Sequence, residues 1–121
     1  MNRLAVIHET MQRMNLLHDL YGELLTPKQS AYFTMHFMED MSMAEIAVQF
    51  GVTPQAAADM IKRACALLEK YESKLSLLGK HERQAEIVKK INAELDKLQN
   101  GSALQNSIKE LITELISSAE V

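Results

Sequence analysis

Apolar side chains recur at Leu4, Ile7, Met11, Met14, Tyr21 and Leu25, with His18 filling the polar step in the row. Steps that alternate between three and four residues put one stripe on a single helical face. The pattern therefore predicts a long amphipathic helix over residues 2–25. A fresh start follows at once. Thr26 can cap a new helix, Pro27 suits its first position, where no N–H is needed, and Gln29 can close a capping box. That helix is expected to run to Met38 and to bury some of Ala31, Tyr32, Met35 and Phe37.

Ser42 and Glu45 offer a second capping box. The short helix they open ends before Gly51, which can take the left-handed conformation of a tight turn between helices. Thr53 and Pro54 then start a helix whose apolar positions are Ala57, Ile61, Ala64, Leu68, Tyr71, Leu75 and Leu78. The unbroken row predicts a helix of about 25 residues, with Gly79 as its stop or kink. Residues 80–99 give a further amphipathic helix with Val88, Ile91, Leu95 and Leu98 in register. Asn100–Ser102 ends it, and Ser102 with Gln105 offers one more capping box. The last helix carries Leu104, Ile108, Leu111 and Leu115, a stripe widened by Ile112 and Ile116.

The predicted fold is all-α, with no strand pattern, repeat or low-complexity linker. Residues 1–121 are expected to form one helical domain, with a helix-turn-helix core at 26–78 and a helical hairpin at 80–121. That much apolar stripe on thin helices calls for partners, so self-association as a dimer or larger assembly is expected. Its expected contacts are Leu4, Ile7, Met11, Ile91, Leu95, Leu98, Ile108, Leu111 and Leu115.

Composition narrows the picture. The chain of 121 residues is 47% hydrophobic, so it can bury a core, and its 4 Gly and 2 Pro leave helices uninterrupted. The net charge is −3. Residues 1–78 hold 7 Lys+Arg against 9 Asp+Glu, and residues 79–121 hold 6 against 7, so neither part has the basic excess with which DNA-binding domains meet a polyanion. One cysteine, Cys65, forms no internal disulfide and fits a reducing compartment. Without a long apolar run or a signal-peptide layout, no membrane span is expected and the cytoplasm is the expected location.

Ala47 and Gly51 have the spacing of a helix-turn-helix, in which a small residue lets the second helix pack close and a glycine follows four residues on. Ile46, Phe50, Val52, Ala57 and Ile61 are the expected braces between the two helices. The whole of residues 25–70, with "LTPKQ" leading into this motif, resembles the fourth region of bacterial sigma factors. Three blocks, "RMNLLHDLYGELLTPKQ", "SMAEIAVQFGVTPQAAADMIKR" and "LLEKYESKL", together resemble the YlxM family of small helix-turn-helix proteins over residues 13–78. The resemblance implies a regulatory role tied to the signal recognition particle, since members are typically encoded beside the particle's GTPase. It implies RNA, DNA and components of the particle as partners. Against the family pattern, Pro54 stands where an arginine is expected, and Ala57 and Ala58 stand for larger side chains.

With the apolar row inward, the second helix of the motif turns Thr53, Pro54, Gln55, Ala58, Asp59, Lys62 and Arg63 outward. Gln55 can read adenine, and Lys62 and Arg63 can hold phosphates. Asp59 repels them. The candidate nucleic-acid contacts are Lys28, Thr53, Gln55, Lys62 and Arg63. A specific reader needs several bidentate contacts of roughly 1–3 kcal/mol each, and this face offers one. The expected function is thus a non-enzymatic regulator in the signal recognition particle pathway that binds RNA or ribonucleoprotein. A sequence-specific DNA-binding transcriptional regulator and a protein-interaction module are the alternatives.

Other chemistry has thin support. His8, His18, His36 and His81 lack the spacing of a helical zinc pair, so no metal is expected. His18 reads as a satisfied core residue. Cys65 lies near Lys62 and Arg63, which could lower its pKa, but a small half-buried residue is the simpler reading. No phosphate loop, dinucleotide fingerprint or nucleophile elbow is present, so no cofactor or catalytic residue is expected. The apolar and acidic "FMEDM" at Phe37–Met41 suits a protein partner better than a phosphate backbone.

Overall fold

The structure, a computed structural model, describes residues 3–98 and 101–119. Asn100, expected to end a helix, lies outside the described residues. Six α-helices and no strands make up the described residues: α1 (Arg3–Tyr21), α2 (Pro27–Phe37), α3 (Met43–Phe50), α4 (Pro54–Leu75), α5 (Leu77–Asp96) and α6 (Ala103–Ala119). A 3-10 turn at Gly22–Leu24 follows α1. Two compact units result, residues 1–76 and 77–121.

In the first unit, local chemistry sets three helix starts. The Thr26 hydroxyl accepts from Gln29 N–H at 3.1 Å while the Gln29 side chain accepts from Thr26 N–H at 3.0 Å. Ser42 and Glu45 make the same reciprocal pair at 3.1 and 3.3 Å. Thr53 caps α4 by accepting from Ala56 N–H at 3.1 Å. Each cap satisfies donors that the first helical turn leaves without partners, worth about 1 kcal/mol.

The core of this unit is built where α1, α2 and α3 pack on α4. Leu17, Phe33, Ile46, Ala57, Ala64 and Leu68 are fully shielded from solvent. Each large side chain among them contributes about 1.5–3 kcal/mol by leaving water. Aromatic stacking adds direction. Tyr32 lies on Phe50 at 3.9 Å between centroids, and Phe33 lies between Phe37 at 4.5 Å and His18 at 4.6 Å. His18 also shares a hydrogen bond with Ser30 Oγ at 3.1 Å, so the polar step of the first row is a satisfied part of the core.

Four expectations need correction. α1 stops at Tyr21 rather than near Leu25, and its buried row is Met14, Leu17, Tyr21 and Leu25, with Leu4 and Ile7 exposed. Leu17 lies three residues after Met14 and four before Tyr21, so it joins the buried face beside His18. Phe33, absent from the expected core of α2, is wholly buried. Val52, expected as a brace, is 36% exposed, because the left-handed turn at Gly51 carries it outward. α4 ends at Ser76, left-handed at φ 53°, and Gly79 lies inside α5.

In the second unit, α5 and α6 form a hairpin. The Ser102 hydroxyl accepts from Gln105 N–H at 3.2 Å. The Gln105 side chain donates instead to the Leu95 carbonyl, so the expected capping box is half made and its other half ties α6 to α5. Lys109 and Asp96 form an ion pair across the hairpin. Leu98 lies beyond the end of α5 and is exposed. No helix of the described residues is long and apolar enough to cross a membrane.

Candidate nucleic-acid interface

Between α3 and α4 lies the turn that sequence spacing predicted. Gly51 sits at φ 64° and ψ 36°, the left-handed conformation that glycine adopts without a Cβ clash. Its N–H donates back to Val48 O at 3.3 Å, and Val52 N–H donates to Ala47 O at 3.0 Å, closing α3. Ala47, 3% exposed, brings α3 close to α4, where Ala57 and Ile61 meet Ile46 and Tyr32 in one cluster. Met35, Phe37, Met41, Met43, Phe50 and Met60 pack around that cluster. The methionines thus act mainly as core filler. Within "FMEDM" only Met38, Glu39 and Asp40 are exposed, which leaves little of the expected apolar patch.

Burial of Ala57, Ile61, Ala64 and Leu68 fixes which face of α4 meets solvent. Gln55, Asp59, Lys62 and Arg63 lie exposed on it, at steps of four, three and one, within roughly a 100° arc. Thr53 and Pro54 are exposed at the head of the same helix, and Ala58 is half-buried at its side. Lys62 and Arg63 make no ion pair among the described residues, so both charges are available to a ligand. The structure therefore brings Gln55, Lys62 and Arg63 together. Thr53 is committed to its cap, and Lys28 stands on another helix, exposed in the first turn of α2.

Further along α4, two side chains of α1 tie the helix down. Arg13 on α1 donates through Nε and Nη2 to both carboxylate oxygens of Glu69 at 2.8 and 2.9 Å, and the Tyr21 hydroxyl donates to Glu72 at 2.7 Å. Sequence reading missed these ties, because pairs some fifty positions apart leave no local pattern. The Arg13 guanidinium lowers the Glu69 pKa. Cys65, one helical turn before Glu69, is pushed up to about 11, first by burial and then by the Glu69 charge. The basic neighbours do not activate this thiol. Among the described residues no cluster of His, Cys, Asp and Glu could hold a metal ion.

The residues expected to mediate self-association divide between the units. On α1, Leu4 and Ile7 are exposed and Met11 is half-buried. In the second unit Ile91, Leu98, Leu111 and Leu115 are exposed, and Leu95 and Ile108 are half-buried.

Residues 8–112 match the family described as "Putative helix-turn-helix protein, YlxM / p13 like". A UPF0122 protein of Halalkalibacterium halodurans is 44% identical over 101 residues, which cover 84% of this chain and 93% of that one. One from Geobacillus kaustophilus is 47% identical over 83 residues, covering 69% and 76%. One from Listeria welshimeri is 41% identical over 107 residues, covering 88% and 94%.

Proposed function

The chain belongs to the YlxM/p13-like helix-turn-helix family, and from that premise we propose that it is a non-enzymatic, cytoplasmic regulator in the signal recognition particle pathway that binds structured RNA through α4. The observation that carries this reading is the outward set Gln55, Lys62 and Arg63, two of them unpaired cations, on the second helix of the motif. Two cations with one amide suit backbone contact. Asp59 stands between them and Pro54 lacks a side-chain donor, so the face is short of the bidentate groups that read a duplex operator. RNA recognition leans more on shape, phosphate and 2′-hydroxyl contacts, which such a face can make. The resemblance to proteins encoded beside the particle's GTPase supplies the pathway.

Fluorescence anisotropy with the particle's RNA and with random duplex DNA, at about 50 and 200 mM salt, tests the reading. RNA should bind more tightly than the duplex, weaken with salt, and weaken further with Lys62→Ala/Arg63→Ala. Tight, salt-steep preference for one duplex sequence would instead identify a transcriptional regulator. Absence of binding to both probes at low salt would sink the nucleic-acid reading and leave a protein-interaction module.

A further inference from the structure

Charge is laid out unevenly along α4, in a way that the net value of −3 conceals. Ala57, Ile61, Ala64 and Leu68 are buried, so the opposite side of the helix meets solvent. At 100° per residue, that side carries Lys62, Arg63, Lys70 and Lys74 after Gln55 and Asp59, all exposed and within an arc of about 120°. The row runs well past the helix-turn-helix. Lys74 stands twelve residues after Lys62, about 18 Å along the axis.

Three carboxylates lie on α4, and Asp59 alone shares this side. Glu69 and Glu72 turn toward α1. Arg13 holds Glu69 at 2.8 and 2.9 Å, and Glu72 accepts from the Tyr21 hydroxyl at 2.7 Å. None of the four cations makes an ion pair among the described residues. Within α4, no carboxylate stands three or four positions from Lys70 or Lys74. These two lysines stand four apart, where like charges repel and weaken a helix. Folding gains nothing from that arrangement, whereas a polyanion would.

The shape of the row limits what the polyanion can be. Between Arg63 and Lys70 the surface is low, because Ala66 offers only a methyl group. The Ser73 hydroxyl donates back to the Lys70 carbonyl at 2.7 Å, which keeps it down on the helix. No aromatic ring stands in the row. Tyr71 is half-buried off its side, with its ring 6.0 Å from that of Tyr21. Unpaired strands are held by stacking their bases on aromatic side chains, whereas a base-paired stem is held by its shape and its phosphates. A straight cationic ridge without a stacking platform suits the stem.

Resting on the reading of α4 as an RNA-binding helix, we propose that its site continues beyond the helix-turn-helix to Lys70 and Lys74. The whole row then tracks the phosphate backbone of a double-stranded RNA stem. Lys62 and Arg63 hold one end, and Lys70 and Lys74 hold the other. Asp59 repels phosphate at the head of the row, so the grip is stronger along the later turns of α4 than at the turn that opens it.

Fluorescence anisotropy of the full chain tests this, with a labelled RNA hairpin of about 16 base pairs and an oligouridine of the same nucleotide count. Four phosphate contacts should lower affinity for the hairpin about a hundredfold between about 50 and 200 mM salt. Lys70→Ala/Lys74→Ala should weaken binding at the lower salt by about tenfold or more, and cut the fall with salt to about tenfold. Lys70→Arg/Lys74→Arg keeps the charges and should keep both values. The oligouridine should bind more weakly than the hairpin. Circular dichroism on each variant separates lost binding from lost folding. A hairpin that responds to Lys62→Ala/Arg63→Ala and ignores Lys70→Ala/Lys74→Ala would overturn the extension and leave the reading of α4 standing. An oligouridine bound as tightly as the hairpin would overturn the assignment to a stem. No binding of the hairpin at low salt would remove the extension together with the reading beneath it.

Discussion

Arg13 and Glu69 meet as a two-pronged ion pair at 2.8 and 2.9 Å, fastening α1 to the middle of α4, seven residues beyond Lys62. Both side chains are nearly half exposed, so solvent screening limits the pair to about 0.5 kcal/mol. Its pH dependence has a definite sign. Arg13 lowers the folded pKa of Glu69 below its ordinary value of 4.5. The pair's stabilisation is therefore fully present above 4.5 and is lost as pH falls through the folded value. Urea unfolding should find Glu69→Gln less stable than the parent at pH 7 and equal to it near pH 2. A difference that persists in acid would show that the glutamine acts through packing rather than charge.

The thiol of Cys65 makes a second prediction. With its pKa near 11, only about a thousandth of it is thiolate at pH 8. Ellman's reagent should therefore react at pH 8 far more slowly with the folded chain than with the urea-unfolded chain. Glu69→Gln removes the second cause of the shift and should speed the folded reaction modestly, while burial keeps it slow. Equal rates in folded and unfolded protein would contradict the burial of Cys65.

At Gly51 the expected cost is one of backbone alone. A Cβ there would meet nothing within 4 Å, yet φ is +64°. Gly51→Ala should destabilise by about 1–2 kcal/mol, the cost of a left-handed residue with a side chain. Gly51→Asn should cost less, since asparagine tolerates this region. Thermal or urea unfolding checks both. An alanine variant as stable as the parent would mean that the turn is free to reorganise.

These positions show what could be read from the chain before its structure. The caps at Thr26, Ser42 and Thr53 and the turn at Gly51 were legible because their hydrogen bonds span three or four residues. The seam of α4 was legible because Ala57, Ile61, Ala64 and Leu68 follow the helical period on a face that a whole unit covers. On α1 the same rule failed at Leu4 and Ile7, where the helix extends beyond the core that would bury them, and at Leu17, where the buried face is wider than a single row. Ser76 gave no signal as a stop, because serine seldom adopts φ 53° and Gly79 nearby was the better local candidate. On the candidate interface, Gln55, Lys62 and Arg63 followed from the α4 period. The Arg13 and Tyr21 anchors further along α4 did not, since only tertiary packing brings them to Glu69 and Glu72.

Gly22 provides the sharpest steric test. A Cβ at this position would lie 3.0 Å from both Cε1 and Nε2 of His18, tighter than ordinary contact. The ring has little room to yield. It stacks on Phe33 at 4.6 Å with 6° between planes, and its Nε2 is bonded to Ser30 Oγ at 3.1 Å. Moving it gives up one of those interactions, so Gly22→Ala should destabilise by about 1–3 kcal/mol, as other overpacked sites do. His18→Ala empties the space and should itself cost stability through lost stacking. In the double variant the alanine at position 22 meets no ring, so its added cost should fall close to zero. A double-mutant cycle by urea unfolding reads this as coupling between the two sites. Simple additivity would mean that the strain lies in the backbone of the 3-10 turn, and that His18 is not what requires glycine at position 22.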